Sequence, residues 1–177
     1  MMKTRMRPAL SVALVGVMAA TVECGKLALA ALPNIEVITL LLALYGYVFG
    51  FLGVGSAIVF VCIEPLIYGF GLWTVTYFLY WPFVALLFMI LRKINVQNRF
   101  VFTAVALLMT AWFGVLSSLI DLGLLTGHFE NFFSRFAIYY VRGIPFYVAQ
   151  LSCNAVWFLF FFKFLSRELE KTKKLFK

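Results

Sequence analysis

The feature that most constrains the fold is a long apolar stretch, residues 37–91, which contains a single charged side chain, Glu64. In the whole chain of 177 residues, 64% are hydrophobic and 12% are charged, whereas a soluble domain has about 25% charged residues. This composition excludes a water-soluble globule, and with 21 phenylalanines and 3 cysteines it fits neither a disordered chain nor a disulfide scaffold. The sequence predicts one all-α integral membrane domain covering residues 1–177.

The position of the charges predicts the orientation of this domain in the lipid bilayer. The net charge is +8, and 12 of the 15 Lys and Arg residues fall in three clusters, whereas five of the seven acidic residues lie between them. Basic residues concentrate on the cytoplasmic side of membrane helices. We therefore expect the three clusters inside the cell, and the charge gives no reason to expect a nucleic-acid partner. The clusters are Lys3, Arg5 and Arg7; Arg92, Lys93 and Arg99; and Lys163, Arg167, Lys171, Lys173, Lys174 and Lys177.

The number of membrane crossings follows from the same orientation. A helix that spans about 30 Å of hydrocarbon needs about 20 residues. Residues 8–91 and residues 100–162 each begin and end beside a basic cluster, so each crosses an even number of times. Four and two crossings fit their lengths, which predicts six transmembrane helices with both termini cytoplasmic. The expected helices cover residues 8–24, 34–50, 54–68, 72–91, 100–120 and 143–165.

Three local features refine this topology. Asn34 is expected to cap the second helix, with Glu36 in its first turn, where the helix dipole favours an anion. The second and third helices are short, which predicts thinning of the bilayer or burial against neighbouring helices. Between the last two helices, residues 121–142 carry aromatic residues at helical spacing, which predicts an interfacial helix or an ordered lid.

Motifs for catalysis are absent from the sequence. It has one histidine and no HExxH, GxSxG or Walker sequence, and its three cysteines fall on three different predicted helices. We therefore expect no enzymatic activity, no bound metal and no cofactor. Without an ATP site, active transport would be powered by a partner or by an ion gradient, and no acid or base is expected at mid-membrane to couple an ion gradient.

Polar and aromatic residues gather in the outer half of the predicted helices. On the sixth helix, Tyr147, Gln150, Asn154 and Trp157 form one stripe that includes two amides at bilayer depth. Such amides are costly in lipid unless they face other helices or a cavity. Hydrogen bonds between helices and a solute pocket are therefore the two explanations that we consider.

Other side chains approach the same outer face. Tyr80 and Trp81, with Tyr77 above them on the fourth helix, suit a stacking wall for a planar ligand. Asp121 ends the fifth helix. Arg135 and Arg142 follow, and each either holds a carboxylate or phosphate or anchors the chain at the membrane interface.

Small residues form a separate stripe on the first helix. Ala9, Ala13, Gly16 and Ala20 recur at i, i+4, i+7 and i+11. Such a groove lets another helix approach closely. It predicts either packing within this chain or docking of a partner subunit at the cytoplasmic end.

The chain resembles the substrate-binding S components of energy-coupling factor (ECF) transporters. The resemblance rests on six short helices, the chain length and several local sequences. These are Ala9-x-x-x-Ala13, residues 32–41 (LPNIEVITLL), Glu64, residues 68–73 (YGFGLW) and Tyr80-Trp81-Pro82.

The resemblance implies a high-affinity vitamin-binding subunit in the bacterial cell membrane. Such a subunit lacks ATPase activity, pairs with a transmembrane T component and two cytoplasmic ATPases, and topples in the membrane to release its vitamin. The Ala9 and Ala13 step would match the contact with the T component, extended by Gly16 and Ala20. The implied substrate-binding residues are Asn34, Glu36, Tyr77, Tyr80, Trp81, Asp121, Arg135, Arg142, Tyr147, Gln150 and Asn154.

The identity of the vitamin stays open. An aromatic, mostly neutral pocket suits a large ligand with flat and amide-bearing parts, so cobalamin or a related corrinoid is the first choice. Riboflavin, pantothenate, folate and queuosine precursors are alternatives. A stand-alone secondary carrier and a membrane scaffold protein without a small-molecule site are the alternative functional classes.

Overall fold

The computed structural model describes residues 7–124 and 130–175, and these residues form helices without any strand. Two π-helical turns, Ile120–Leu124 and Trp157–Phe162, continue the helices that precede them. The prediction of an all-α chain is therefore confirmed. The helices are α1 (Pro8–Ala28), α2 (Ile38–Phe49), α3 (Phe51–Tyr68), α4 (Leu72–Lys93), α5 (Arg99–Leu119), α6 (Phe132–Val156) and α7 (Lys163–Leu175).

Five helical segments of the described residues are long and apolar enough to cross a membrane. They correspond to α1, α3, α4, α5 with its π-helical turn, and the continuous segment Phe132–Leu175. The remaining helix, α2, has 12 residues and is therefore about 18 Å long, shorter than the hydrocarbon core of about 30 Å. The chain is consistent with an all-α membrane protein, and the sixth crossing stays a prediction.

The short helix α2 lies at the centre of the bundle. All of its residues except Leu41 are buried. A Cβ atom added to Gly46 would lie 2.0 Å from the carbonyl oxygen of Ala85 on α4, so the two backbones are in direct contact. Gly50, with φ of 65°, makes the tight connection to α3. The expected burial of this helix against its neighbours is confirmed, and Gly46 allows it.

Three predicted helix boundaries are corrected by the structure. The first helix continues to Ala28, so Lys26 belongs to it. Asn34 does not cap the second helix, because its φ of 60° places it in a turn before the helix, whose N-cap is Val37. The third helix begins at Phe51, since Gly50 alone reverses the chain.

The predicted boundary of the sixth helix at residue 143 is also wrong. Residues 132–142 are the first turns of α6 and not a separate interfacial helix or lid. Stacking along this helix extends the expected aromatic stripe: the ring centroids are 6.2 Å apart for Phe132 and Phe136 and 5.8 Å apart for Phe136 and Tyr140. Residues 125–129 of the predicted segment, which include His128 and Phe129, lie outside the described residues.

The helices alternate between two ends of the bundle, each marked by polar contacts. At the first, which we call the Glu64 end, the last turns of α1 and α3 meet through Lys26 and Glu64. At the second, the Arg92 end, Arg92 of α4 pairs with Glu170 of α7 at 2.8 Å. The Tyr47 hydroxyl of α2 donates to the Val96 carbonyl there, also at 2.8 Å. The chain therefore presents two chemically different ends.

Candidate functional site

A cavity of about 260 Å³ opens at the Glu64 end of the bundle. The loop between α1 and α2 covers one side, and α4, α5 and α6 form the others. Five residues that the sequence selected as substrate-binding line this cavity, which brings together two helices and a loop far apart in the chain. They are Asn34, Glu36, Tyr77, Trp81 and Gln150.

Aromatic rings form one wall of the cavity. The Tyr77 and Trp81 rings meet edge to face, with centroids 5.6 Å apart, and Trp81 lies 5.9 Å from Phe113 of α5. Tyr80 packs behind them at 4.8 Å from Phe113 and is buried. The buried Nε1 of Trp81 has no hydrogen-bond acceptor among the described residues. A buried donor without an acceptor is costly, and the indole nitrogen is enclosed by the protein, so this wall offers the cavity mainly a flat aromatic surface.

Glu36 organises the polar side of the cavity. Its Oε2 atom accepts a hydrogen bond from the backbone N–H of Thr39 at 2.9 Å, which holds the first turn of α2. Its Oε1 atom accepts from the Nδ2 of Asn154 at 2.8 Å, and Asn154 also donates to the Thr110 hydroxyl at 3.0 Å. The Trp157 indole N–H donates to the Glu36 carbonyl at 3.0 Å. This network fixes the loop against α5 and α6.

The polar stripe on the predicted sixth helix therefore has two roles in the structure. Asn154 is fully buried and bonds to other elements, as the helix-packing explanation requires. Gln150 lines the cavity, as the solute-pocket explanation requires. The structure therefore supports the helix-packing explanation for Asn154, and a solute contact stays a prediction for Gln150.

A second, more open cavity of about 490 Å³ lies beside the first. Arg142 and Tyr147 of α6 line it, and Asn34 lines both spaces. Four predicted site residues line neither cavity: Tyr80 and Asn154, which are buried in the packing described above, and Asp121 and Arg135. Asp121 accepts a hydrogen bond from the Tyr139 hydroxyl at 2.9 Å, and Arg135 is exposed on the first turns of α6.

Sequence reasoning missed a buried ion pair beside the cavity. The Lys26 ammonium lies 2.6 Å and 2.5 Å from the two carboxylate oxygens of Glu64, and the Glu64 side chain is only 2% exposed. Glu23, one turn before Lys26 on α1, is also buried and accepts from the Tyr68 hydroxyl at 3.1 Å. Glu64 itself was the sequence signal, because a lone charge within an apolar stretch needs a buried partner. With the first helix predicted to end at residue 24, Lys26 was assigned to a loop and was therefore not considered as that partner.

The small residues of α1 face away from the bundle. Ala9, Ala13, Gly16 and Ala20 are all exposed, whereas the buried face of this helix carries Met18, Ala19, Val22 and Glu23. A Cβ atom added to Gly16 would meet nothing within 4 Å. The stripe therefore does not serve packing within the described part of the chain, and it is open to the bilayer or to another helix.

The cavity, the Glu36 network and the Lys26–Glu64 pair are the features from which a function has to be inferred. Each is built from elements distant in sequence, so each depends on the tertiary fold and not on one local motif. Comparison of the chain with models of protein families, with curated proteins and with solved structures finds no match.

Proposed function

We propose that this chain is the substrate-binding S component of an ECF-type importer in a bacterial cell membrane. It crosses the membrane six times with both termini in the cytoplasm and binds a vitamin without catalysing a reaction. A T component and two cytoplasmic ATPases supply the energy. The observation that carries the proposal is the cavity beneath the loop between α1 and α2, lined by Glu36, Tyr77, Trp81 and Gln150.

The lining of the cavity favours a ligand that is partly flat and partly polar. The wall of Tyr77, Trp81 and Phe113 suits a planar group, and the Glu36 and Gln150 side chains supply the polar part of the lining. At about 260 Å³ the cavity lies just below the usual range of about 300–1,000 Å³ for ligand sites. Cobalamin or another corrinoid, the first choice, would also occupy the adjoining space of about 490 Å³. Riboflavin, pantothenate, folate and queuosine precursors are smaller molecules and would occupy less of that space.

The exposed small residues of α1 supply the partner contact in this proposal. Small residues let two helix backbones approach closely in a membrane, where van der Waals packing drives association. Ala9, Ala13, Gly16 and Ala20 form such a surface, and no helix of the described chain covers it. The T component would dock there, on the opposite side of α1 from the bundle core.

Replacing Ala9 and Ala13 together with leucine is expected to weaken the complex with the T component and its ATPases by at least about tenfold. The larger side chains would separate the helices, and the cavity is too far from this face to be affected. Co-purification from membranes that contain all four subunits measures the complex. Val12→Leu is the matched control, because Val12 is exposed beside the small-residue stripe and is already a large residue, so leucine there adds only one methylene group. Failure of the wild-type chain to form any complex would contradict the proposal, as would equal loss of complex and of ligand.

An ion-coupled carrier is the second candidate function, and the buried Lys26–Glu64 pair favours it. Ionisable residues buried in membrane proteins commonly serve ion or proton pathways. Purified chain in proteoliposomes separates the two candidates. Uptake driven by an ion gradient in the absence of any partner would support the carrier, whereas binding without uptake is expected of an S component.

A further inference from the structure

Two buried carboxyl groups face a single ammonium group at the Glu64 end. Glu23 and Lys26 lie one turn apart on α1, and Glu64 lies opposite them on α3. The relative exposure of Glu64 is 1% and that of Glu23 is 8%. With all three groups ionised, this buried cluster would carry one uncompensated negative charge, which is very costly in a medium of low polarity.

The hydrogen bonds of the cluster leave one oxygen atom without a partner. Lys26 contacts both oxygens of Glu64, and the Tyr68 hydroxyl donates to Oε1 of Glu23. Oε2 of Glu23 is buried and has no donor among the described residues. Tyr68, which donates to Glu23, lies one turn after Glu64 on α3, and Lys26 lies one turn after Glu23 on α1, so both carboxyl groups are held at the same contact between these two helices. Two carboxylates cannot form a hydrogen bond, because neither carries a hydrogen.

We propose that Glu23 and Glu64 bind one proton between them and thus form, with Lys26, a neutral proton-binding site. The proton completes the missing hydrogen bond and removes the uncompensated charge in a single step. A carboxyl hydrogen-bonded to a carboxylate is the usual arrangement of two acids held in close contact. This inference goes beyond the binding of a vitamin and does not depend on it.

The surroundings favour a proton over a metal cation. The Lys26 ammonium already occupies both oxygens of Glu64, so a metal ion there would lie beside a positive charge. Other titratable groups facing the cluster are Tyr68 of α3, whose ring lies 3.9 Å below the Lys26 ammonium, and Tyr77 of α4, whose ring centroid lies 5.9 Å away. Glu36 lines the same cavity as Lys26. None of these groups supplies a second cation to balance Glu23.

The site is connected to the candidate ligand cavity through Lys26. The side chain of Lys26 is 25% exposed and lines the cavity, while Glu64 behind it is sealed from solvent. Of the three ionisable groups in the cluster, Lys26 alone lines the cavity. Loss of the proton would leave a negative charge directly behind the cavity wall. The electrostatic potential that a bound ligand experiences would therefore depend on whether Glu23 and Glu64 hold the proton.

Infrared spectroscopy of the full-length chain in lipid nanodiscs at pH 7 tests the proposal. The wild-type protein is expected to show the carbonyl stretch of one protonated carboxyl group, which shifts to lower frequency in deuterated water. Glu23→Gln is expected to abolish this band. Glu64→Gln is expected to abolish it as well, because the remaining Glu23 would pair with Lys26 as a carboxylate. Glu168→Gln, an exposed control on α7, should leave the band unchanged.

Several outcomes would overturn the proposal. The absence of a protonated carboxyl band in the wild-type protein would overturn it. This result needs no variant, so it does not depend on whether a variant folds. Persistence of the band in Glu64→Gln would assign the proton to Glu23 alone. A rise in the melting temperature of the wild-type protein, but not of Glu23→Gln, when sodium chloride replaces choline chloride would show that the site takes a metal cation instead.

Discussion

Replacing Lys26 with methionine is expected to lower the free energy of unfolding by about 3 kcal/mol, because it leaves Glu64 buried without its cation. Removing one partner of a buried ion pair costs about 3 to 5 kcal/mol, and the partial exposure of Lys26 places this case at the lower end. Unfolding of the purified chain in mixed micelles, followed by helical signal, measures the change. We expect the variant to unfold at clearly lower denaturant than the wild-type protein.

The variant that combines Lys26→Met, Glu64→Leu and Glu23→Gln is expected to recover most of this loss, since it leaves no charge in the buried cluster and replacing buried ion pairs by neutral residues is often neutral or stabilising. Lys171→Met is the matched control. Lys171 pairs with Glu168 at 2.6 Å, but both side chains are largely exposed, at 71% and 46%. Such surface pairs contribute at most about 1 kcal/mol. Equal effects of Lys26→Met and Lys171→Met would show that the buried pair does not stabilise the fold.

Replacing Gly46 with alanine is expected to prevent the normal packing of α2 against α4. The added Cβ atom would lie 2.0 Å from the Ala85 carbonyl oxygen and 2.7 Å from its carbonyl carbon. These are backbone atoms, so no change of rotamer relieves the clash and the two helices have to separate. Overpacking of cores costs about 1 to 3 kcal/mol when side chains can adjust, and a backbone clash at the most buried helix is expected to cost about 3 kcal/mol or more.

Gly16→Ala provides the matched control for Gly46→Ala. The substitution is identical and also falls inside a helix, but nothing lies within 4 Å of the added atom. Alanine favours a helix over glycine by about 1 kcal/mol, so this variant should match or exceed the wild-type stability. The fraction of monodisperse protein after detergent extraction, and its melting temperature, compare the two variants. Similar values would contradict the close approach of α2 and α4.

The fold class could be predicted from the sequence because it depends on hydropathy and charge summed over long segments of the chain. Apolar stretches long enough to cross a bilayer predicted the helices, and α4 begins at Leu72 as expected and continues through Pro82. Helix ends were less accessible. Asn34 has the residue type of a cap but a left-handed backbone conformation, and Glu36 caps the helix from outside with its carboxylate.

The candidate site was predictable in part for a similar reason. Gln150 was selected because a polar side chain within the bilayer is costly unless it faces another helix or a cavity, and Trp81 because its ring lies deeper than the membrane interface. Both line the cavity. Asn154 packs against other elements because it bonds to Glu36 and Thr110. The positions of these two partners cannot be read from the residue spacing within α6. The Lys26–Glu64 pair joins residues 38 positions apart, so only the packing of α1 against α3 brings it together.

Mass spectrometry of small molecules retained by the purified chain tests most directly the central claim that the cavity binds a solute. The chain is expressed in cells supplied with several vitamins, and growth of a vitamin auxotroph then checks the identity of the compound found. We expect the wild-type protein to retain one compound. Gln150→Trp, which fills the cavity, should lower its amount at least about tenfold, equivalent to about 1.4 kcal/mol.

Val148→Trp is the matched control, because Val148 is exposed on the same helix and outside both cavities. It should retain the compound at the wild-type level. Contradictory results would be an empty wild-type protein under every condition, which favours a membrane scaffold, or equal retention by Gln150→Trp and the wild-type protein.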